Sequence, residues 1–128
     1  MICGIGCDIV EVKRFEQKSL DSKYIERFFS GEEIQQAPEN QLSVPLYYAS
    51  RFAAKEAFSK ALGTGVKGYP VKDVFVKKLP GGAPCLKVQG KALEIVQEKF
   101  GECNFFVTLS HEKNNAVAFV IIEKKEGE

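Results

Sequence analysis

Two acidic residues, Asp8 and Glu56, stand in settings where a carboxylate could hold a metal ion. Asp8 follows Gly4 and Gly6 in a segment whose alternating apolar residues predict a β-strand. Glycine is unfavourable inside a strand, so the two glycines indicate that something bulky approaches their face, and a phosphate-bound metal would fit there. Alternatively, Asp8 caps the next helix and Glu11 closes a capping box. The sequence leaves both interpretations open.

Glu56 belongs to a predicted central helix that has Pro45 in its first turn and ends at Gly63. At about 100° per residue, Glu56 and Lys60 lie one turn apart on one border of the apolar arc of this helix, and Lys55 lies on the other border. A border position keeps a charge partly desolvated and still reachable. The alternative is an ordinary i,i+4 ion pair, worth roughly a few tenths of a kcal/mol.

The same helix runs into a turn, Gly63-Thr64-Gly65, which is flanked by Lys60 and Lys67. Glycines at such a turn allow backbone amides to approach an anion, although the spacing is not that of a nucleotide-binding P-loop. A plain glycine C-cap explains the same residues.

The only histidine, His111, follows Ser110 at the end of a predicted strand, where a neighbouring loop favours exposure. A lone histidine is more often structural than functional. The spacings support neither a Ser-His-Asp arrangement nor a zinc site.

The elements that must position these residues follow the order strand, helices, then strands interrupted by one helix. This order predicts an α+β fold with a mainly antiparallel sheet, and the length fits a single domain over residues 1–128. The predicted strands cover residues 2–10, 71–79, 85–89, 104–110 and 116–123. The predicted helices cover residues 11–18, 21–29, 45–62 and 91–100, with a capping box at 30–33. A charged tail, expected to fray, runs from Lys124 to Glu128.

The composition argues against several functional classes. A net charge of +1 implies no bulk attraction to nucleic acid or to a membrane. No stretch approaches the ~20 apolar residues that span a bilayer. The four cysteines form no CxxC pair, which favours a reduced protein in the cytoplasm.

Taken together, these segments resemble the holo-[acyl-carrier-protein] synthase family of phosphopantetheinyl transferases, of the short bacterial fatty-acid type. Residues 5–8 (IGCD) match its N-terminal pattern of an apolar residue, glycine, any residue and aspartate. Residues 52–60 (FAAKEAFSK) match its helical pattern, and residues 61–65 (ALGTG) match its glycine turn. The Ser-His pair at 110–111, followed by alanines at 116 and 118, extends the likeness over nearly the whole chain.

The resemblance implies magnesium-dependent transfer of the 4′-phosphopantetheine group of coenzyme A to a serine of apo acyl carrier protein, in fatty acid and lipid biosynthesis. Mg²⁺ would be held by Asp8, Glu56 and the coenzyme pyrophosphate, with a water-mediated contact from Glu33. Glu56 is the candidate base, and Lys60 would stabilise charge on the phosphate oxygens. Whether Glu56, Glu33 or a bound water takes the serine proton stays open.

The resemblance also implies which residues contact the substrates. Arg14, with Lys13 and Arg27, would dock the acidic carrier protein, although a solvated helix face is the alternative. The implied coenzyme contacts are Lys60, Gly63, Thr64, Gly65, Ser110 and His111.

A homotrimer with active sites between subunits is the assembly that the resemblance implies. Tyr47, Tyr48 and Phe52 are aromatic residues that association could bury. The alternative is that these three residues lie in the core of the monomer.

Three rival functions stay open at this point. A transferase serving polyketide or peptide synthase carriers would differ only in the carriers that it accepts. A non-catalytic coenzyme A module would bind its ligand equally well with or without magnesium. A scaffolding domain would show no thermal shift with coenzyme A.

Overall fold

A long helix packed across a three-stranded antiparallel sheet forms the centre of the structure, a computed structural model that describes residues 1–126. The strands are β1 (Ile2–Glu11), β2 (Val74–Lys78), β3 (Pro84–Val88), β4 (Cys103–His111) and β5 (Asn115–Lys124). The helices are α1 (Arg14–Lys18), α2 (Ser22–Phe28), α3 (Gly31–Gln35), α4 (Val44–Leu62) and α5 (Gly90–Phe100), with 3₁₀ turns at Gln41–Ser43 and Val71–Asp73. The predicted α+β class is confirmed.

The strands form two antiparallel sheets rather than the single sheet expected. β1, β5 and β4 pair in that order, and β2 and β3 form a separate hairpin. The first part of the strand predicted at 71–79 is the 3₁₀ turn, and Glu11, predicted to be helical, is the last residue of β1. In the predicted charged tail, Lys124 closes β5, and residues 127–128 lie outside the described part of the chain.

Two glycines bring β1 into direct contact with the backbone of α4. A Cβ atom placed on Gly6 would lie 1.8 Å from the carbonyl oxygen of Ala57, and one on Gly4 would lie 1.9 Å from that of Ala61. Real Cβ atoms essentially never come within 3.0 Å of another heavy atom. The bulky neighbour expected on this face is therefore the helix itself, and not a phosphate-bound metal. The glycines matter because they let strand and helix approach.

The core lies between α4 and the inner face of the sheet. Small side chains on both surfaces keep the layers close, which favours dense packing. The fully buried residues of α4 on this side include Ala53, Ala54, Ala57 and Phe58, and those of β5 are Ala116, Ala118, Val120 and Ile122.

The outer face of the same sheet carries exposed apolar side chains. Ile5 and Ile9 of β1 are each 63% exposed, Phe106 of β4 is 50% exposed and Phe119 of β5 is 46% exposed. The pairing register places these four residues on neighbouring positions, so they form one apolar patch. Exposed apolar patches on a protein surface often mark interaction sites.

Local capping signals explain where several helices begin and end. Ser30 and Glu33 form the predicted capping box at the start of α3. Gly63 ends α4 with φ of 88°, a left-handed conformation that favours glycine. Asp8 lies within β1 and caps no helix, since the N-cap of α1 is Lys13. None of the helices within residues 1–126 has the length and apolar character that a membrane crossing requires.

We expect Gly6→Ala to destabilise the protein by about 2 kcal/mol or more, because the added methyl group would overlap the backbone of α4. Gly31→Ala is the matched control, since a Cβ atom there would meet no atom of residues 1–126 within 4 Å. The control should unfold at or slightly above the wild-type urea midpoint because alanine favours helix. Urea unfolding followed by circular dichroism compares the two, and equal midpoints would contradict the close-contact argument.

Candidate active site

Asp8, Glu56 and Lys60 come together where β1 crosses α4. The Nζ atom of Lys60 donates to Asp8 Oδ1 at 3.0 Å and to the carbonyl oxygen of Cys7 at 2.9 Å. The Lys60 side chain is 56% exposed and that of Asp8 is 18% exposed, so the pair is open to a ligand. The ion pair of Lys60 within residues 1–126 is therefore with the strand, and the simple i,i+4 pair with Glu56 is not formed.

The electrostatic setting of Glu56 suits a base. Burial raises the pKa of Glu56, and the nearby carboxylate of Asp8 raises it further, while Lys60 and Arg14 lower it. The hydrogen bond to Asp8 raises the pKa of Lys60, which keeps this side chain cationic. A carboxylate with a raised pKa accepts a proton more readily than an ordinary glutamate at neutral pH.

The donor set of this site fits a magnesium ion shared with a phosphate ligand. Within residues 1–126, no group of three or more His, Cys, Asp or Glu side chains is placed to hold a metal by itself. Mg²⁺ is usually bound by only one or two carboxylates plus substrate phosphates and water. Asp8 and Glu56, whose charges influence each other, supply two carboxylates of the oxygen type that it prefers.

Glu33 and Lys55 lie apart from this group, in a buried ion pair. Lys55 Nζ donates to Glu33 Oε1 at 2.8 Å and to the carbonyl oxygen of Val74 at 2.6 Å. Glu33 also accepts from the backbone amides of Ser30 and Val76. Because both carboxylate oxygens are used and Glu33 is fully buried, it is not available for the expected water-mediated metal contact or as a base. Its role is structural.

A cavity of ≈ 260 Å³ opens on another side of α4. Ser110 and His111, both predicted as coenzyme contacts, line it together with Arg51 and Lys78. Sequence reasoning missed Arg51 and Lys78. The only signal for Arg51 was its position immediately before the helical motif, and Lys78 carried none. The cavity thus gathers three basic side chains and several hydroxyl groups.

The surroundings of the Arg51 guanidinium indicate that this cavity is suited to an anionic ligand. Arg51 is only 7% exposed, and no acidic side chain within residues 1–126 forms an ion pair with it. Its Nη1 donates to Ser50 Oγ at 3.0 Å, while its buried Nε has no hydrogen-bond partner in the described part of the chain. A buried charge is costly unless it is paired, so the cavity is suited to an anion that would pair with Arg51.

The glycine turn after α4 serves first as a helix cap. The amide of Gly63 donates to Ser59 O at 3.0 Å, and Lys99 Nζ donates to the carbonyl oxygen of Leu62 at 2.5 Å. Gly65 is left-handed with φ of 66°. The C-cap interpretation is therefore confirmed. Gly63, Thr64 and Gly65 are also exposed, one helical turn beyond Lys60, and remain predicted coenzyme contacts.

The predicted docking residues are exposed, and one of them adjoins the carboxylates. Lys13, Arg14 and Arg27 all face solvent. The guanidinium of Arg14 lies 5.5 Å from the ring centre of Phe52, and its charge lowers the pKa of Glu56. A partner bound at Arg14 would thus lie next to the candidate base.

The carboxylate group and the cavity lie on opposite sides of α4. Arg51 and Lys60 are nine residues apart, which at about 100° per residue places them on opposite helix faces. Asp8 and Leu109 pair with the same residue, Ala118, from opposite sides. Since neighbouring strands are about 4.8 Å apart, roughly 10 Å separates these two edge strands. One chain brings the two sets of residues to the same helix but not to one pocket.

Comparison with known proteins identifies the family. The model of the 4′-phosphopantetheinyl transferase superfamily matches residues 4–120. The chain belongs to this superfamily. The enzyme class that the sequence motifs predict is thereby confirmed.

Similar proteins narrow the family further. A holo-[acyl-carrier-protein] synthase of Treponema denticola is 46% identical over 123 residues, which cover 96% of this chain and 99% of the relative. The structure of the Neisseria meningitidis synthase is 35% identical, with a TM-score of 0.81 over 97% of this chain and 100% of that one. The Bacillus anthracis synthase in complex with CoA (3′,5′-ADP) is 33% identical, with a TM-score of 0.78 over 98% and 99%. The resemblance to holo-[acyl-carrier-protein] synthases is confirmed.

Proposed function

We propose that this chain transfers the 4′-phosphopantetheine group of coenzyme A to a serine of apo acyl carrier protein, with 3′,5′-ADP as the second product. The observation that carries the proposal is the meeting of Asp8, Glu56 and Lys60 in a member of this superfamily. Relatives over nearly the full chain are named holo-[acyl-carrier-protein] synthases, and one solved relative holds CoA (3′,5′-ADP). This activity belongs to fatty acid and lipid biosynthesis, and we place the protein in the cytoplasm.

The residues of this site divide the chemistry between them. The serine hydroxyl forms a bond to the β-phosphorus of coenzyme A, the bond from that phosphorus to the bridging oxygen breaks, and 3′,5′-ADP leaves. Glu56, directly or through a water, takes the serine proton. Lys60, which is exposed and donates to two oxygens of the strand, stabilises negative charge on the phosphate oxygens. Asp8 and Glu56 would hold Mg²⁺, which when bound supplies further stabilisation of that charge.

The cavity at Arg51 is proposed to take a phosphate group of the same coenzyme. Arg51, Lys78 and His111 offer positive charge or hydrogen-bond donors, and Ser110 offers a hydroxyl. The backbone of the turn Gly63-Thr64-Gly65 is proposed to contact the coenzyme near Lys60. Two separated anion sites suit a ligand that carries phosphates at two places.

If each active site formed between two subunits of a homotrimer, one site would contain both the carboxylate group of one copy and the Arg51 cavity of another. The carboxylates and the cavity lie on opposite sides of α4, so one coenzyme would join them most easily between two copies. The exposed apolar patch of Ile5, Ile9, Phe106 and Phe119 offers a surface for such association. The three aromatic residues that association could bury follow the alternative instead: Tyr48 lies in the core of the monomer at 5% exposure, and Tyr47 and Phe52 pack against that core.

The carrier protein is proposed to bind across Lys13, Arg14 and Arg27. Acyl carrier proteins are acidic, and a local basic surface on a nearly neutral chain would steer them without attracting polyanions in general. Docking at Arg14 would bring the carrier serine toward Glu56, whose pKa already reflects the charge of Arg14.

We expect Asp8→Asn and Glu56→Gln each to lower the transfer rate at least 100-fold, because each removes a metal ligand and Glu56→Gln also removes the base. Mass spectrometry of apo acyl carrier protein incubated with coenzyme A and Mg²⁺ measures the product. Calorimetry of Mg²⁺ binding in the presence of coenzyme A should show weaker binding in both variants. The exposed Glu98→Gln is the control. A folded Asp8→Asn or Glu56→Gln protein with near-wild-type turnover would contradict the metal assignment.

Mixing two inactive proteins tests the shared active site. At low coenzyme A concentration, we expect Asp8→Asn and Arg51→Met each to be impaired alone, because each lacks one half of the site. A mixture that has exchanged subunits should be more active than the mean of the two, since some sites then combine both intact halves. Light scattering should give the mass of three copies. A mixture whose activity does not exceed the mean of the two variants would mean that both halves of an active site come from one chain.

Arg14→Glu is expected to raise the KM for acyl carrier protein severalfold and to leave coenzyme A affinity nearly unchanged. The reason is that the substitution reverses a charge on the proposed docking surface and replaces none of the proposed coenzyme contacts. Added salt should weaken the wild-type reaction more than that of the variant. The reason is that salt screens the attraction between Arg14 and the acidic carrier, which the variant already lacks. Lys87→Glu, exposed on β3, is the matched control. An unchanged KM for the carrier would move the docking surface away from α1.

A further inference from the structure

Tyr47 connects the cavity to the buried interior, because its ring contacts a residue of the cavity and its hydroxyl contacts the buried backbone. Its hydroxyl donates to the carbonyl oxygen of Glu33 at 2.5 Å. Its ring lies under the guanidinium of Arg51, with 4.2 Å between Arg51 Cζ and the ring centre. That distance is well inside the ~6 Å range of a cation–π interaction. Tyr47 thus joins a fixed backbone oxygen to the charged group in the cavity.

Arg51 depends on Tyr47 for its position. Its hydrogen bond is to Ser50 Oγ, and that hydroxyl in turn donates to the carbonyl oxygen of Tyr47 at 2.8 Å. These two contacts of the guanidinium both pass through Tyr47, one through its ring and one through its backbone. Burial raises the pKa of the Tyr47 hydroxyl to about 12, so it stays a neutral donor.

The anchor of Tyr47 is itself rigid. The carboxylate of Glu33 is fixed by Lys55 at 2.8 Å, by the amide of Ser30 at 3.0 Å and by the amide of Val76 at 3.4 Å. These partners belong to three different parts of the fold. The carbonyl oxygen that receives the Tyr47 hydroxyl is therefore held in place by α4, by the start of α3 and by β2 together.

We propose that Tyr47 is a positioning residue for coenzyme binding, which holds the Arg51 guanidinium in the orientation that receives a phosphate group. This inference rests on the proposed function of the cavity. Tyr47 belongs to the side of α4 that faces away from Asp8 and Lys60, so it acts on affinity and not on the transfer step. A preorganised guanidinium loses less freedom on binding, which is the source of the expected gain in affinity.

Calorimetry with coenzyme A and steady-state kinetics test this role. Tyr47→Leu removes the ring and is expected to raise the Kd about five- to thirtyfold, while kcat at saturating coenzyme A stays within about twofold. Tyr47→Phe keeps the ring and loses only the anchor, so its Kd should rise by about two- to fivefold. Tyr48→Phe, at the buried neighbouring tyrosine, is the matched control and should leave both constants unchanged.

A double-mutant cycle with Arg51→Met separates the possible failures. Adding Tyr47→Leu to Arg51→Met should weaken binding no further, because the tyrosine acts through the arginine. Additive losses, or a wild-type Kd in both Tyr47 variants while Arg51→Met binds weakly, would overturn the positioning role and leave the cavity assignment intact. An unchanged Kd in Arg51→Met would overturn the cavity assignment itself. If Tyr47→Leu does not fold, the cycle is run with Tyr47→Phe.

Discussion

The contact between the backbones of β1 and α4 is the constraint on which the candidate site depends. Because Gly4 and Gly6 carry no side chains, the strand lies directly against the carbonyl oxygens of Ala57 and Ala61. Only at this separation does Lys60 reach both the Cys7 carbonyl and the Asp8 carboxylate. The glycines therefore act on the chemistry indirectly, by setting the distance at which a strand carboxylate and a helix ammonium meet.

α4 separates the functions of neighbouring residues by its periodicity. Lys55 and Glu56 are adjacent in sequence but about 100° apart on the helix, so one is buried and the other faces the site. Burial lowers the pKa of Lys55, and the neighbouring carboxylate of Glu33 opposes that shift. Removing one partner of such a pair typically costs about 3–5 kcal/mol. The pair thus joins α3 and α4 rigidly.

The separation of the two proposed anion-binding regions follows from the same geometry. A single helix that carries Arg51 on one face and Lys60 on the other presents charge to two separate surfaces. The sheet beneath it leaves an apolar outer face around Phe119, which a second copy would cover. Under the proposed assembly, catalysis would depend on association, since the arrangement that would bury the sheet face would also allow one coenzyme to meet both regions.

Local features of this chain were readable from its sequence, because they depend on residues close together along it. The order of elements, the capping box at Ser30 and the end of α4 at Gly63 all follow from hydrophobic periodicity and capping. The motifs around Asp8 and Glu56 likewise indicated the family. The partner of Lys60, by contrast, lies 52 residues away in Asp8 rather than one turn away in Glu56. Packing between separate elements also decides that Lys55 and Arg51 are buried. The same packing places the α4 backbone against Gly6. Only the tertiary structure decides such contacts, because side-chain periodicity fixes the face of a residue but not what lies against it.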